Sequence, residues 1–391
     1  MKKIALYILA AAAIFAGCSK NNIETSPVAD EDAWMYDATL PVPIRLGANS
    51  GSLTKGEPIN DLADMDGKLF GFYAVNSGKD PLEGGWASLN LSDMPLSVED
   101  NGVQGHYNAK TGRFDFVGGP FYYNQTDWTP YTFYGYYAHV NDVTNPDHLN
   151  GTQEGIIGDD RIFVRLGIGH NDILWGKAEA DSVITANKEI CYGFNAPYLR
   201  NGGAQPVMTF KHMTACVTFN VQQVGNANNL PMQVETVKIL NTPVYANLVI
   251  ASNVPTIKEG AFTATKVDGT IELGGLPQTI STTSTKLGNE SLFIYPGPSY
   301  KVELSYSYGT STDSYIAELK PVTKVMDEEG NETEESGFIA GYHYKYNFKV
   351  YSPEEIVIEA EIEPYIPAFG TDADGNDIVQ DYDPEEYKGS H

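Results

Sequence analysis

The sequence of 391 residues predicts an all-β protein, and three observations carry that reading. First, tyrosine (25 residues) and glycine (38) are abundant, and aromatic and β-branched side chains suit a pleated surface. Second, no segment keeps a helical repeat over several turns. Third, three stretches alternate apolar and polar residues with a period of two. Val302, Leu304, Tyr306 and Tyr308 oppose Lys301, Glu303, Ser305 and Ser307. Tyr344, Tyr346, Phe348 and Val350 oppose His343, Lys345, Asn347 and Lys349. Ile356, Ile358, Ala360 and Ile362 oppose Glu355, Val357, Glu359, Glu361 and Glu363. Period two marks antiparallel strands with one buried face.

Taken in order, the chain opens with a short basic segment, Met1-Lys2-Lys3, and an apolar run over residues 4–16. Phe15-Ala16-Gly17-Cys18 follows, with small residues directly before a cysteine. This is the layout of a bacterial lipoprotein signal, cleaved before Cys18 so that its thiol takes a diacylglycerol group. The run is shorter than the roughly 20 residues that span a bilayer. Residues 1–17 therefore read as signal, and residues 18–36, polar and acidic, as a flexible tether.

Strands are expected at 40–48, 69–75, 131–138, 207–221 and 236–240. A second series is expected at 246–251, 270–273, 292–295, 301–308, 314–319, 342–351 and 356–362. Many short strands separated by Gly, Pro, Asn and Asp clusters argue for β-sandwiches. The series divides near residue 242, giving one sandwich over 37–242 and a second over 243–369, followed by an acidic tail over 370–391. Residues 76–121 and 141–161 read as long decorated loops. Residues 327–336 read as an acidic hairpin-like loop.

The net charge of −26 excludes a nucleic-acid surface and disfavours an anionic membrane, so any attachment rests on the lipid. After Cys18 only Cys191 and Cys216 remain, either bridged or as two buried thiols. The histidines are scattered and lack metal-ligand spacing, and no nucleophile elbow or phosphate loop is present. The chain therefore reads as a non-enzyme with no cofactor and no metal. Asp372 to Asp377 forms a weak calcium-loop likeness that lacks the glycine and glutamate such a loop needs, so it reads as a solvated turn. Asp181-Ser182-Val183 matches a short O-glycosylation pattern. The aromatic cluster around Tyr122, Trp128 and Tyr134 fills a core or, if open, stacks on sugars; the core reading is favoured.

These landmarks together resemble the fimbrillin-like (FimA/Mfa-like) family of Bacteroidales, the subunits of type V pili. The likeness lies in the lipobox and tether, the strand Ala38-Thr39-Leu40-Pro41-Val42-Pro43-Ile44-Arg45-Leu46, and the step Leu53-Thr54-Lys55-Gly56. It continues through Leu69-Phe70-Gly71-Phe72-Tyr73, the aromatic stretch 128–137, Asp172-Ile173-Leu174-Trp175 and Phe210-Lys211-His212-Met213-Thr214-Ala215. Phe293-Ile294-Tyr295-Pro296 and Ala340-Gly341-Tyr342-His343-Tyr344 close the series.

The resemblance implies two transthyretin-like β-sandwich domains and a surface lipoprotein of the outer membrane and fimbrium, acting in cell adhesion. It implies maturation by clipping after the first strand and assembly with other pilin subunits by strand exchange. Carried onto this chain, the removable strand is residues 38–48. The clip site is Lys55-Gly56, with Arg45 as the alternative. The donor strand carries Ile356, Ile358, Ala360 and Ile362. Known fimbrillins have arginine at the clip step, and this chain has lysine. Surface glycans or proteins are the expected adhesion partners. The rival reading is a glycan-binding surface lipoprotein of a polysaccharide-uptake system, which an open aromatic platform at Tyr122, Trp128 and Tyr134 would favour.

Overall fold

The computed structural model describes residues 32–49, 62–76, 103–123, 130–139, 157–158, 161–178, 183–184, 190–191, 194–224, 231–252, 256–326, 332–352 and 355–364. Two compact units divide the chain between Leu40 and Pro41. In the first, a 3-10 turn at Ala33–Met35 is followed by a turn in which the Thr39 hydroxyl donates to Asp37 Oδ1 (2.6 Å).

The second unit is built of strands. In chain order they are β1 Gly47–Asn49, β2 Leu69–Asn76, β3 Val103–Asn108, β4 Arg113–Phe116, β5 Tyr131–Tyr137, β6 Ile157–Gly158, β7 Arg161–Gly167, β8 Leu174–Ala178, β9 Val183–Ile184 and β10 Ile190–Cys191. There follow β11 Val207–His212, β12 Ala215–Gln223, β13 Met232–Ser252, β14 Ala261–Glu272, β15 Gln278–Thr279, β16 Thr285–Lys286 and β17 Leu292–Ile294. The last are β18 Tyr300–Tyr308, β19 Ser311–Leu319, β20 Val322–Met326, β21 Glu332–Ser336, β22 Tyr342–Ser352 and β23 Glu355–Pro364. One short helix, α1 (Ala196–Arg200), starts where the Asn195 side chain accepts from Tyr198 N–H (2.8 Å).

The all-β expectation holds, and the strands form two kinds of layer. The earlier ones close into a seven-stranded barrel of order β1-β11-β8-β5-β2-β3-β4. The later ones form a sandwich. One of its sheets runs β16-β12-β22-β23 with β17 beside β12, and the other runs β19-β18-β13-β7-β6 with β14 and β15 on β13. Most ladders are antiparallel, but β1 lies parallel to β11, and β12 parallel to β22.

The barrel closes because its interior is graded in size. Phe72 pairs with Gly135, Gly135 with Gly176, and Gly176 with Phe210, so two rings flank two glycines across four strands. A Cβ on Gly176 would stand 2.6 Å from the Phe210 ring, and one on Gly135 would stand 2.9 Å from Phe72. Phe70 and Phe114 complete the aromatic interior, at ring-centroid distances of 5.1 Å from each other and 4.6 Å from Phe114 to Phe72. Alternation then sends Tyr73, Val75, Tyr134, Tyr136 and Trp175 to the outside of the barrel. There they pack on Val164 and Leu166 of β7 and on Leu248 and Ile250 of β13.

β13 is shared by both cores. Residues 232–240 pair with β18, and residues 245–252 pair with β7. Val234, Val237 and Ile239 enter the sandwich core with Phe219, Leu304, Tyr344 and Phe348, whereas Leu248 and Ile250 face the barrel. The change of partner falls at 241–244. Asn241 there takes φ +52, a left-handed conformation that asparagine tolerates, and the ladder to β14 shifts register twice. Residues 242 and 243, where the pattern divided the chain, thus lie within one continuous strand.

Two expected loops contain strands. β3 and β4 lie inside 76–121, where Val103, Gly105 and Tyr107 alternate with Gln104, His106 and Asn108. Glycine in the apolar phase hid that alternation. β7 lies at the edge of 141–161 and beyond it, continuing through Ile162, Val164 and Leu166. Residues 327–336 belong to the acidic hairpin β20–β21, whose connecting residues 327–331 lie outside the described set.

Candidate functional site: a barrel slot filled by the first strand

Residues 42–49 run between two flanks of the barrel. On one side Gly47, Ala48 and Asn49 pair with Val207, Met208 and Thr209 of β11, and Gly47 N–H donates to Pro206 O (3.0 Å). On the other side Phe114 N–H donates to Leu46 O (2.9 Å), Ile44 N–H to Phe121 O (2.8 Å) and Tyr123 N–H to Val42 O (3.1 Å). Pro43, which cannot donate, stands opposite Tyr122 at an isolated bridge. Val42, Ile44 and Leu46 are fully or almost fully buried, at 0%, 3% and 0% exposure, while Pro43, Arg45 and Gly47 between them are not. Of the stretch 38–48 read as the first strand, residues 42–48 therefore hold the slot, and 38–40 belong to a turn in the first unit.

The outward rim of the slot carries Val207, Thr209 and Lys211 from β11, with Arg113 and Asp115 from β4. Val207 is 46% exposed and Tyr122 43%. Asp115 accepts from Asn108 Nδ2 at 3.0 Å. Lys211 Nζ lies 4.8 Å from the centre of the Trp175 ring. Partial burial, and then the neighbouring Lys258, hold its ammonium below the usual lysine range. Beside it Lys177 Nζ meets Glu259 Oε2 (2.9 Å), and Tyr134 donates its hydroxyl proton to Glu259 Oε1 (2.9 Å). Burial pushes the Tyr136 and Tyr123 phenols well up.

The candidate donor lies on its own sheet. β23 is the edge strand beside β22. Ile356 and Ile358 are buried in the sandwich core, with Ala360 and Ile362 packed against it. On the outer face Glu361 stands opposite Lys345, and Glu359 pairs with Lys349. Arg45 sits half-buried in the first strand. Cys18, Lys55 and Gly56, like Trp128, Ser182 and residues 372–377, lie outside the described residues, and so does the side chain of Cys191. Cys216 is buried against Phe293.

Sequence reasoning did not foresee that two of its landmarks meet. His212 Nδ1 stands 2.7 Å from Asp172 Oδ2, with side chains 2% and 0% exposed. The same carboxylate accepts from Ile173 N–H (2.8 Å) and the Thr214 hydroxyl (3.3 Å). The pair bonds the start of β8 to the end of β11, which are already neighbours, and so braces one flank of the slot. Their histidine-and-acid chemistry was visible, but residues 40 apart gave no signal of contact. Among the described residues no group of three His, Cys, Asp or Glu side chains could hold a metal ion. Tyr134, at 1% exposure, is core and not platform.

What the described residues offer is backbone edges and apolar sockets on an all-β frame. The fimbrillin-like family model matches residues 66–364, and the chain belongs to that family. It is thus a pilus subunit of the cell surface, in a family of structural fimbrial proteins, and the glycan-uptake reading is not favoured. No curated protein matches it in sequence. Among solved structures it is similar to a fimbrial protein from Bacteroides vulgatus, at 13% identity and TM-score 0.41, with 83% of this chain and 99% of that one covered. It is also similar to the fimbrial anchor protein Mfa2 from Porphyromonas gingivalis, at 10% identity and TM-score 0.35, covering 84% and 99%. The tip fimbrial protein Mfa3 of the same organism, with a C-terminal truncation, gives 11% identity and TM-score 0.35, covering 83% and 100%.

Proposed function

We propose that this subunit is anchored at the outer membrane through a lipid on Cys18 and joins its neighbours in the fimbrium by strand exchange at the slot now held by residues 42–49. One observation carries the reading: the first strand is a short insert between two flanks that do not pair with each other. Withdrawing it strands the N–H donors of Phe114 and Tyr123 and the carbonyl acceptors of Phe121 and Pro206, and opens the sockets of Val42, Ile44 and Leu46. Unpaired edges and empty sockets favour any strand of matching alternation. The clip belongs at Lys55-Gly56, and β23 is the segment offered to a neighbour.

Brief trypsin treatment of the native protein should cut after Lys55 before Arg45. The Arg45 backbone is held on both sides, by Phe121 and Phe114 contacts at its neighbours Ile44 and Leu46. N-terminal sequencing of the first fragments reads this out. First cleavage at Arg45 would remove the slot reading.

Cys18→Ala should abolish labelling by a lipid precursor and shift the protein from the membrane to a soluble fraction. Equal labelling of variant and wild type would reject the anchor while leaving strand exchange untouched.

A further inference from the structure

We propose that the slot selects its incoming strand by charge, and that it is built for the acidic outward face of β23 from a second copy of this chain. The inference rests on the strand-exchange reading and goes further by naming what the rim recognises.

Three observations lead there. First, the inward positions of the two strands match. Ile44, Leu46 and Ala48 of the resident strand recur as Ile356, Ile358 and Ala360 of β23, at the same spacing of two. Both sets face a core: Ile44 and Leu46 are buried in place, as are Ile356 and Ile358.

Second, the outward positions differ in charge. Between its apolar residues the resident strand carries Arg45 and Gly47, whereas β23 carries Val357 and Glu359, followed by Glu361. With the apolar residues superposed in the same direction, Glu359 takes the place of Gly47. Gly47 now stands opposite Arg113 on one side and Val207 on the other. Glu361 then comes beside Thr209, one outward position before Lys211 on β11.

Third, the rim is basic in a chain of net charge −26. Arg113 is exposed, as is Lys258 beside Lys211, while Lys211 is an exposed residue whose ammonium is partly buried over the Trp175 ring. Among the described residues none of the three makes an ion pair, and the Lys211 ammonium lies over the Trp175 ring. Of the acidic groups nearby, Glu259 is paired with Lys177, and Asp115 accepts from the neutral Asn108 amide and keeps its charge, so the basic groups still outnumber the acidic ones.

The home site of β23 shows the same code. There its outward glutamates already lie against lysines, Glu359 on Lys349 and Glu361 opposite Lys345. Exchange would move an acidic face from one basic neighbour to another. The resident strand, with Arg45 outward, offers the rim no such attraction. Complementary charge of this kind acts mainly on encounter rate and on the choice between partners.

The test uses the full mature chain nicked with trypsin, with a labelled synthetic peptide of residues 353–366. A second peptide carries Glu359→Lys and Glu361→Lys. Fluorescence anisotropy follows capture. At low salt the native peptide should enter about tenfold faster than the lysine peptide, and the difference should collapse at about 0.5 M salt. In the protein carrying Arg113→Glu and Lys211→Glu, both exposed positions, the preference should invert. Circular dichroism and the melting temperature confirm that this variant folds. Equal capture of both peptides by both proteins would overturn charge selection and leave strand exchange standing. Capture of neither peptide by a nicked, folded protein would overturn strand exchange itself.

Discussion

Leu46→Asp should release the first strand from the barrel and destabilise the protein by at least about 4 kcal/mol. Leu46 is fully buried, and its carbonyl is held by Phe114 N–H. Truncating a buried leucine to alanine alone costs about 2–5 kcal/mol, and a carboxylate adds the penalty of an unpaired charge in a dry site. Urea denaturation of the intact chain measures the loss. Limited proteolysis should show cleavage spreading from Lys55 into residues 42–49. Val207→Thr, at an exposed position on the same rim, should change stability by less than about 0.5 kcal/mol. Ile358→Asp should cost a similar few kcal/mol, because Ile358 is buried on β23 at home and would be buried again in a neighbour's slot. If Leu46→Asp leaves stability and the proteolytic pattern unchanged, the strand does not close the barrel in solution.

Asp172→Ala should be the second severe change, at about 3–5 kcal/mol. The carboxylate takes bonds from His212, Ile173 N–H and Thr214 in a site closed to water. Its loss strands all three. His212→Leu should also destabilise, by leaving Asp172 buried with fewer partners. The double variant Asp172→Leu with His212→Leu should recover part of the loss, since a pair of apolar residues leaves no charge behind. A double-mutant cycle reads the coupling, expected above about 1 kcal/mol. Strictly additive losses would mean that the two side chains act separately.

Much of the fold was legible because alternation was strict where one face met a core. β18, β22 and β23 kept their predicted phase for that reason, and Val302, Leu304, Tyr344, Phe348 and Ile358 are buried as the pattern required. The segment 207–221 read as one strand but is two, β11 and β12, separated at Met213-Thr214. Met213 N–H bonds Ile173 O there, and the chain passes from the barrel to the sandwich. The stretches 236–240 and 246–251 read as two strands but are one. The polar residues Asn241 and Thr242 and Pro243 between them resemble a turn, yet they occupy a bulged bend. Barrel closure was not legible at all. It depends on Gly135 meeting Gly176 across strands and on Phe72 and Phe210 leaning over them, which is a property of register that no local pattern carries. For the candidate site, the apolar beats at 42, 44 and 46 were visible, whereas the basic rim was not. Arg113 and Lys211 are 98 positions apart in sequence and become neighbours of the slot only through Gly47 and β11.

The shared strand β13 has a mechanical consequence. A fimbrial subunit transmits tension along its filament. Here β13 is one unbroken main chain from Met232 to Ser252 that packs against the barrel through Leu248 and Ile250 and enters the sandwich core through Val234, Val237 and Ile239, so a pull between the two cores loads it. The ladders to β7 and β18 grip its two ends. Bonds set along a pull share the force and must fail together, whereas bonds set across its end fail one by one. The bulged stretch at 241–244 is where β13 passes from the β18 ladder to the β7 ladder.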